Sequence, residues 1–215
     1  MISICHPSYG RPEQARRCVQ QWLDRMVTDS SIEWILSLND NDPQFSNYMK
    51  VMDDTGLIVV ADSFNGMVAA SNAAASRSKG DILILVSDDM EAPQGWDQLL
   101  LADQYLNGAN PVVLQVHDGI RSDIMTLPIM NRIAYNVLGY LYHPGYISMF
   151  ADNDLAETAK THHLYRVSSI VGFQHNHYTV GKSQKDATYD RENSSIAWKV
   201  GEKLFEQRKA GGFPL

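Results

Sequence analysis

The apolar run Ile82-Leu83-Ile84-Leu85-Val86, opened by Asp81 and closed by Ser87-Asp88-Asp89, constrains this chain more than any other segment. A run of branched aliphatic residues suits a strand buried on both faces, and such a strand belongs inside a sheet covered by helices on either side. The carboxylates at its exit then stand at the carboxyl edge of that sheet, where open α/β sheets bind ligands. Paired acids lose solvent there only against a counter-charge, and hard oxygen ligands favour Mg²⁺ or Mn²⁺. A metal carrying phosphate is one reading of Asp88 and Asp89. A turn in which they cap the helix led by Pro93 is the other.

The flanking segments repeat the pattern of strand, loop and helix. Ile2 to His6 is a strand ended by the turn-forming loop Pro7-Ser8-Tyr9-Gly10-Arg11-Pro12, and Ala15, Cys18, Val19, Trp22 and Met26 follow at helical spacing. Ile32 to Leu38 is a second strand, stopped by Asn39-Asp40-Asn41-Asp42-Pro43. Leu57 to Val60 is a third, followed by Asn65-Gly66 and a helix with Met67, Ala70, Ala73 and Ala74 toward the sheet. This alternation predicts βαβ units, a mostly parallel sheet and right-handed crossovers. Beyond it lie a strand over 111–116, a helix over 132–141, an aromatic loop over 140–150 and a helix from Asp152-Asn153-Asp154 through Lys160. A strand over 164–171 and an amphipathic helix over 194–208 complete the chain, and the polar stretch 181–193 is expected to stay mobile without ligand.

Composition narrows the partners. The 215 residues carry a formal charge of −7, and no dense Lys/Arg face is visible, which argues against a nucleic-acid partner. Sugars, nucleotides and small metabolites remain open. Cys5 and Cys18 read as reduced packing residues. No apolar stretch approaches the roughly 20 residues that cross a bilayer, and a first strand starting beside Met1 leaves no room for a signal peptide, so a cytoplasmic protein is expected.

The order of these pieces resembles the family 2-like glycosyltransferases of the GT-A fold. Four segments carry the resemblance: the Pro7 to Pro12 loop, the acidic end of strand two, the stretch from Asn65 through Asn72 to Gly80-Asp81, and the acidic exit of strand four. It implies an α/β fold with a mostly parallel central sheet flanked by helices. One domain spans 1–215, with a Rossmann-like nucleotide-sugar-binding half over 1–110 and an acceptor-side half over 111–215. The family's Asp-x-Asp motif falls on Ser87-Asp88-Asp89, so Asp89 takes the place of the metal-ligating acid and Ser87 replaces the first acid, a departure from the pattern. On the nucleotide side the resemblance implies Pro7, Tyr9, Arg11 and one of Asn39, Asp40 or Asp42, with Asn65, Gly66 and Asn72 near the donor. The chemistry agrees: Tyr9 can stack on a base, Asp or Asn can read a uracil imide or ribose hydroxyl, and Arg11 can pair with phosphate. Asx-turn and solvated-face readings of the same residues stay open.

On the acceptor side, the resemblance places the catalytic base on Asp154, with Asp152 the alternate, and Tyr142, Tyr146 and Phe150 just upstream offer a stacking surface for sugars. Both acids also suit a helix start without any catalytic duty. His175 and His177, two apart in an extended segment, face the same way and can meet one cation, matching a histidine that completes the metal shell in several family-like enzymes. Lys182, Lys185 and Arg191 are candidates for clamping a diphosphate. The function implied is transfer of a sugar from a nucleotide-diphosphate donor, expected to be a UDP-sugar, to a carbohydrate or other hydroxyl acceptor, with inversion and with Mn²⁺ or Mg²⁺. A nucleotidyltransferase acting on a sugar phosphate and a non-catalytic sugar-nucleotide- or carbohydrate-binding module are the alternatives.

Overall fold

A computed structural model describes residues 1–28, 32–121 and 123–215. The first half runs β1 (Ile2–Ser8), α1 (Pro12–Asp24), β2 (Ile32–Asn39), α2 (Phe45–Val51), β3 (Ile58–Asp62), α3 (Gly66–Arg77), β4 (Ile82–Leu85), β5 (Met90–Glu91) and α4 (Trp96–Ala102). The second runs β6 (Val113–Gln115), β7 (Ile129–Asn131), α5 (Arg132–Leu138), α6 (Ala151–Thr161), β8 (Tyr165–Val167), β9 (Gln174–His175), a 3₁₀ turn (Tyr178–Val180), α7 (Ala187–Glu192) and α8 (Ser195–Ala210).

Seven strands form one sheet in the order β3-β2-β1-β4-β7-β6-β8, and β5 pairs with β9 in a small second sheet. β1 is parallel to both β2 and β4, whereas β7 runs antiparallel to β4 and β6. The chain moves outward from β1 through β2 to β3 and then returns to the far side of β1 as β4. This reversal makes a topological switch point between β1 and β4, the place where a crevice opens at the carboxyl edge.

The period of two along the strands divides the core into two layers. Ile2, Ile4, Leu36, Ile82 and Ile84 pack beneath α1, whereas Cys5, Ile35, Leu83 and Leu85 pack beneath α3, α5 and α6. On the first face Trp22 is fully buried among Trp34, Trp96 and Phe173, with ring centroids 5.0 to 6.2 Å away. Its indole N–H donates to the Met90 carbonyl at 3.0 Å, which fixes β5 to α1. On the second face Ala70, Ser71, Ala74 and Ala75 of α3 are buried, so the sheet-facing stripe lies slightly rotated from the expected Met67, Ala70, Ala73 and Ala74.

The second half departs from the sequence reading in several places, among them the strand expected over 111–116, which is Val113–Gln115, and the helix expected over 132–141, which ends at Leu138. β7 is three residues long and follows Pro128, too short to show a period. The expected strand over 164–171 contracts to Tyr165–Val167, and the chain then turns at Gly172 toward β9. The polar stretch 181–193 contains α7, whose N-cap Asp186 accepts from the Thr188 and Tyr189 N–H groups. α6 begins at Ala151, so Asp152 and Asp154 both lie in its first turn and neither is the N-cap. Asp154 is fully buried, accepting from Arg208 Nε at 2.6 Å, Tyr146 Oη at 3.0 Å and Thr158 Oγ1 at 3.2 Å. The pair ties α8 to α6.

Two stability predictions follow from the packing. Trp22→Ala should cost about 3–5 kcal/mol, read as a lower denaturant midpoint. Arg208→Met strands a buried carboxylate and should cost about 3–5 kcal/mol, whereas Asp154→Leu in the same chain should restore most of that loss.

Candidate active site

The switch point opens into a cavity of about 270 Å³ between the ends of β1 and β4, the start of α3, the 148–152 turn and α7. Asp88 forms its back wall. His6 Nε2 lies 2.9 Å from Asp88 Oδ1, and Ser8 Oγ donates to Oδ2 at 2.9 Å, so the carboxylate joins β1 to β4. The Trp34 indole N–H donates to His6 Nδ1 at 3.2 Å, leaving Nε2 to carry the proton that Asp88 accepts.

Asp89 faces the cavity in a different setting. Ser87 Oγ donates to Oδ1 at 2.6 Å, Tyr189 Oη donates to Oδ2 at 2.7 Å, and His175 Nε2 stands 3.4 Å from Oδ2. Burial opposes ionisation of Asp89, yet contacts with His175, Ser87 and Tyr189 outweigh it and hold the carboxyl well below the usual range. The backbone explains why a histidine so far along the chain reaches this acid. β5 follows Asp89 directly and pairs antiparallel with β9, matching Met90 with His175, and the Asn176 N–H donates to the Asp89 carbonyl at 2.8 Å. On its other side His175 Nδ1 lies 3.4 Å from Asp118 Oδ2. Burial disfavours the imidazolium, but the two carboxylates outweigh it and push the His175 pKa up to about 9.

Among the described residues no group of three or more His, Cys, Asp or Glu side chains is arranged to hold a metal. Asp89 and His175 instead make a two-ligand edge. Adjacent ligands of an octahedral cation at about 2.1 Å stand about 3 Å apart, near the 3.4 Å separation here. The pair therefore suits a cation whose remaining ligands come from phosphate and water. His177 also lines the cavity, but its Nδ1 faces Thr179 Oγ1 at 2.8 Å and its ring packs on Tyr178 and Tyr189.

Of the residues expected near a nucleotide, Pro7, Tyr9, Arg11, Asn39, Gly66, Ser87 and Asp88 line the cavity. Asn39 is held by its side chain to both backbone groups of Phe64. Gly66 has φ of 86°, and a Cβ there would meet the Ile147 carbonyl at 2.5 Å, so only glycine lets α3 start this close to the 147–149 backbone. The others lie outside. Asp42 supports the Tyr9–Arg11 loop from behind by accepting from the Gly10 N–H at 2.6 Å. Asp40 accepts from Ser63 Oγ on the surface, and Asn72 pins α3 to the backbone of Leu141 and Tyr142. Asn65 precedes α3 and is absent from the lining. Lys182 reaches Gln174 and Lys185 pairs with Asp190, so neither faces the cavity.

The acceptor-side residues separate in the same way. Asp152 stands on the cavity wall, and burial raises its pKa. Asp154, two residues further along the helix, points into the core toward Arg208 and does not reach the cavity. Tyr142 lines the cavity with its hydroxyl donating to the Met125 carbonyl, but Tyr146 turns to Asp154 and Phe150 packs on Trp198 and Phe205. The expected three-ring stacking surface does not form.

α7 closes one side of the cavity through residues that the sequence reading largely missed. Asp186 accepts two hydrogen bonds from Arg11, at 2.6 and 2.7 Å, and the Arg11 guanidinium lies 4.0 Å over the Tyr189 ring. Arg191 lies 3.7 Å over the Tyr9 ring, and Thr188 Oγ1 donates to the Tyr9 carbonyl at 2.9 Å. The legible signal was Asp186-Ala187-Thr188, an N-cap pattern inside a polar stretch.

A family model described as glycosyl transferase family 2 matches residues 3–169. A comparison with curated proteins finds no match. Among solved structures, glucosyl-3-phosphoglycerate synthase from Mycobacterium tuberculosis, in complex with Mn²⁺, UDP and glucosyl-3-phosphoglycerate, is similar with a TM-score of 0.66 and 11% identity, covering 96% of this chain and 79% of that one. The mannosyltransferase PcManGT from Pyrobaculum calidifontis, in complex with GDP-Man and Mn²⁺, gives 0.58 and 12%, covering 97% and 75%. S. aureus TarS 1–349 in complex with UDP-GlcNAc gives 0.62 and 13%, covering 80% of this chain and 57% of that one. This chain thus spans little more than half of the TarS structure, and at such identities the likeness is one of fold. With the family model matched over well more than half of its length, the chain belongs to glycosyl transferase family 2.

Proposed function

We propose that this protein is an inverting glycosyltransferase that moves a sugar from a nucleotide-diphosphate donor, a UDP-sugar, to a hydroxyl acceptor. The observation that carries the reading is the Asp89–His175 edge at the switch point, with Tyr9 and Arg11 on one side of the cavity and Asp152 on the other. Complexes of similarly folded proteins with UDP, UDP-GlcNAc or GDP-Man support the donor class, and those with Mn²⁺ support the cation. In this reading 1–110 is the nucleotide-sugar half and 111–215 the acceptor half of one domain. Among the described residues no helix is long and apolar enough to cross a membrane.

Each group has a physical role. Tyr9 offers a ring face for the base, Asn39 sits where a base or ribose edge falls, and Arg11 supplies a permanent positive charge for the diphosphate. Asp89 and His175 would hold Mn²⁺ or Mg²⁺, which as a Lewis acid offsets charge on the departing diphosphate. Ser87 keeps Asp89 oriented with a neutral hydrogen bond in place of a second negative charge. Asp152 is the base: it accepts the proton of the acceptor hydroxyl as that oxygen attacks the anomeric carbon opposite the leaving group, and one such displacement inverts the centre. Burial that raises its pKa makes it a stronger proton acceptor. Asp154, the first choice from the sequence, has its carboxylate committed to Arg208. Entry of the donor requires α7 to release Arg11 and Tyr9.

Asp152→Asn should lower turnover of a UDP-sugar about 100- to 10,000-fold while UDP affinity stays within twofold; unchanged turnover rules out Asp152 as the base. Because the base must be ionised, activity is present above its folded pKa and is lost as pH falls through it. The acidic limb of kcat should therefore lie above the ordinary aspartate value of about 3.9. Asp89→Ala should abolish the Mn²⁺-dependent part of UDP binding in calorimetry, and an unaltered metal dependence counts against the cation site.

A further inference from the structure

Asp118 belongs to none of the groups that the sequence pattern points to, yet its carboxylate faces the His175 ring nitrogen that Asp89 does not. It is almost fully buried, in the turn that follows β6, and its two carboxylate oxygens have different duties. Oδ1 accepts the backbone N–H groups of Ile120 at 2.8 Å and Arg121 at 2.6 Å, which shapes the turn. Oδ2 takes no part in that. It accepts from Thr126 Oγ1 at 2.6 Å and faces His175 Nδ1 at 3.4 Å.

The turn is also tied to β9 by its main chain. The His175 N–H donates to the Asp118 carbonyl at 2.6 Å. Gly119, with φ of 84°, lets the turn lie against β9, since a Cβ there would meet Gln174 Oε1 at 2.8 Å. Backbone and side chain of Asp118 thus hold the same histidine, one fixing where its Cα sits and the other how its ring is turned. Turn stabilisation accounts for Oδ1, whereas Oδ2 is shared between Thr126 and His175.

A neutral imidazole carries one N–H, and the partner of that N–H decides which nitrogen keeps a lone pair for a cation. We propose that Asp118 is a positioning residue for the cation site: by accepting the Nδ1–H of His175 it makes Nε2 the nitrogen whose proton leaves to solvent when a cation binds, with the Nε2 lone pair then directed to that cation beside Asp89. Thr126 assists by holding Oδ2 in place. The inference rests on the assignment of Asp89 and His175 as cation ligands, and it adds the part of the site that selects the ligating tautomer.

Asp118→Asn separates the two duties. The amide oxygen can keep the turn hydrogen bonds, while the amide N–H₂ at the Oδ2 position donates to Nδ1 and drives the N–H to Nε2, where it faces the cation. In the presence of UDP, Mn²⁺ affinity measured by electron paramagnetic resonance should fall 10- to 100-fold, the range typical of lost carboxylate–histidine support. Thermal unfolding and metal-free UDP binding should change little. Mn²⁺ affinity within twofold of wild type in a folded Asp118→Asn protein overturns the proposal. The wild-type protein gives a test that needs no variant: with UDP and Mg²⁺ bound, ¹⁵N spectra of labelled histidine should show His175 protonated at Nδ1 and not at Nε2. The opposite tautomer also overturns it. His175→Ala distinguishes the two levels of the argument. If that variant keeps wild-type Mn²⁺ affinity, the cation assignment itself fails; if it loses affinity while Asp118→Asn does not, only the positioning role fails.

Discussion

The site depends on one buried carboxylate whose hydrogen bonds come from the protein's own side chains. Asp88 accepts from His6 and Ser8, and through His6 it is linked to the Trp34 indole in the core. The chain of hydrogen bonds fastens the exits of β1 and β4 at the point where strand order reverses. Two parallel strands stop exchanging backbone hydrogen bonds where they diverge, so the edge of a switch point has no ladder to fix its width. Asp88 supplies that fixing through side chains. The link sets the distance between the two loops that carry Tyr9 and Arg11 on one side and Ser87 and Asp89 on the other, and contacts from Asp42 and Asp186 complete the placement of the first loop.

The same geometry explains the missing first acid of the motif. A carboxylate at position 87 would stand against Asp89 with like charge, a repulsion that a bound cation must offset. Ser87 donates a hydrogen bond to Asp89 instead, at 2.6 Å. Asp89 thereby stays ionised through contacts made by the chain alone, and His175 is drawn to it without a metal. The proposed cation site then carries one formal charge fewer.

Much of this was legible in the sequence because it rests on period and order. The buried run 82–86, the βαβ alternation and the acidic strand exits each follow from patterns that local physics imposes. What escaped has common causes. β5, β7 and β9 are two or three residues long, and no period can be read from so few positions. Without the β5–β9 pair, nothing along the chain says that residue 175 returns to residue 89. Asp152 and Asp154 share the first turn of α6, and their separation of two places them on opposite sides of a helix. Tertiary packing, with Arg208 of α8 joined by Tyr146 and Thr158, decides which one faces inward. Asp118 reads as an ordinary Asp-Gly turn, which it also is; its second oxygen acquires a duty only once β9 lies beside it.

α7 has a consequence for which ligands the cavity admits. Its Arg191 is a flat cation on the Tyr9 ring, its Asp186 is a pair of oxygens on Arg11, and its Tyr189 is a hydroxyl on Asp89. Each is a chemical counterpart of one portion of a nucleotide diphosphate with its cation: ring face, phosphate oxygens and metal-bound oxygen. An incoming molecule therefore trades contacts with the protein's own side chains, and its net binding is a difference between like terms. On the proposed function, a complete nucleotide-diphosphate donor with its cation would displace all three contacts together, and a fragment would displace one.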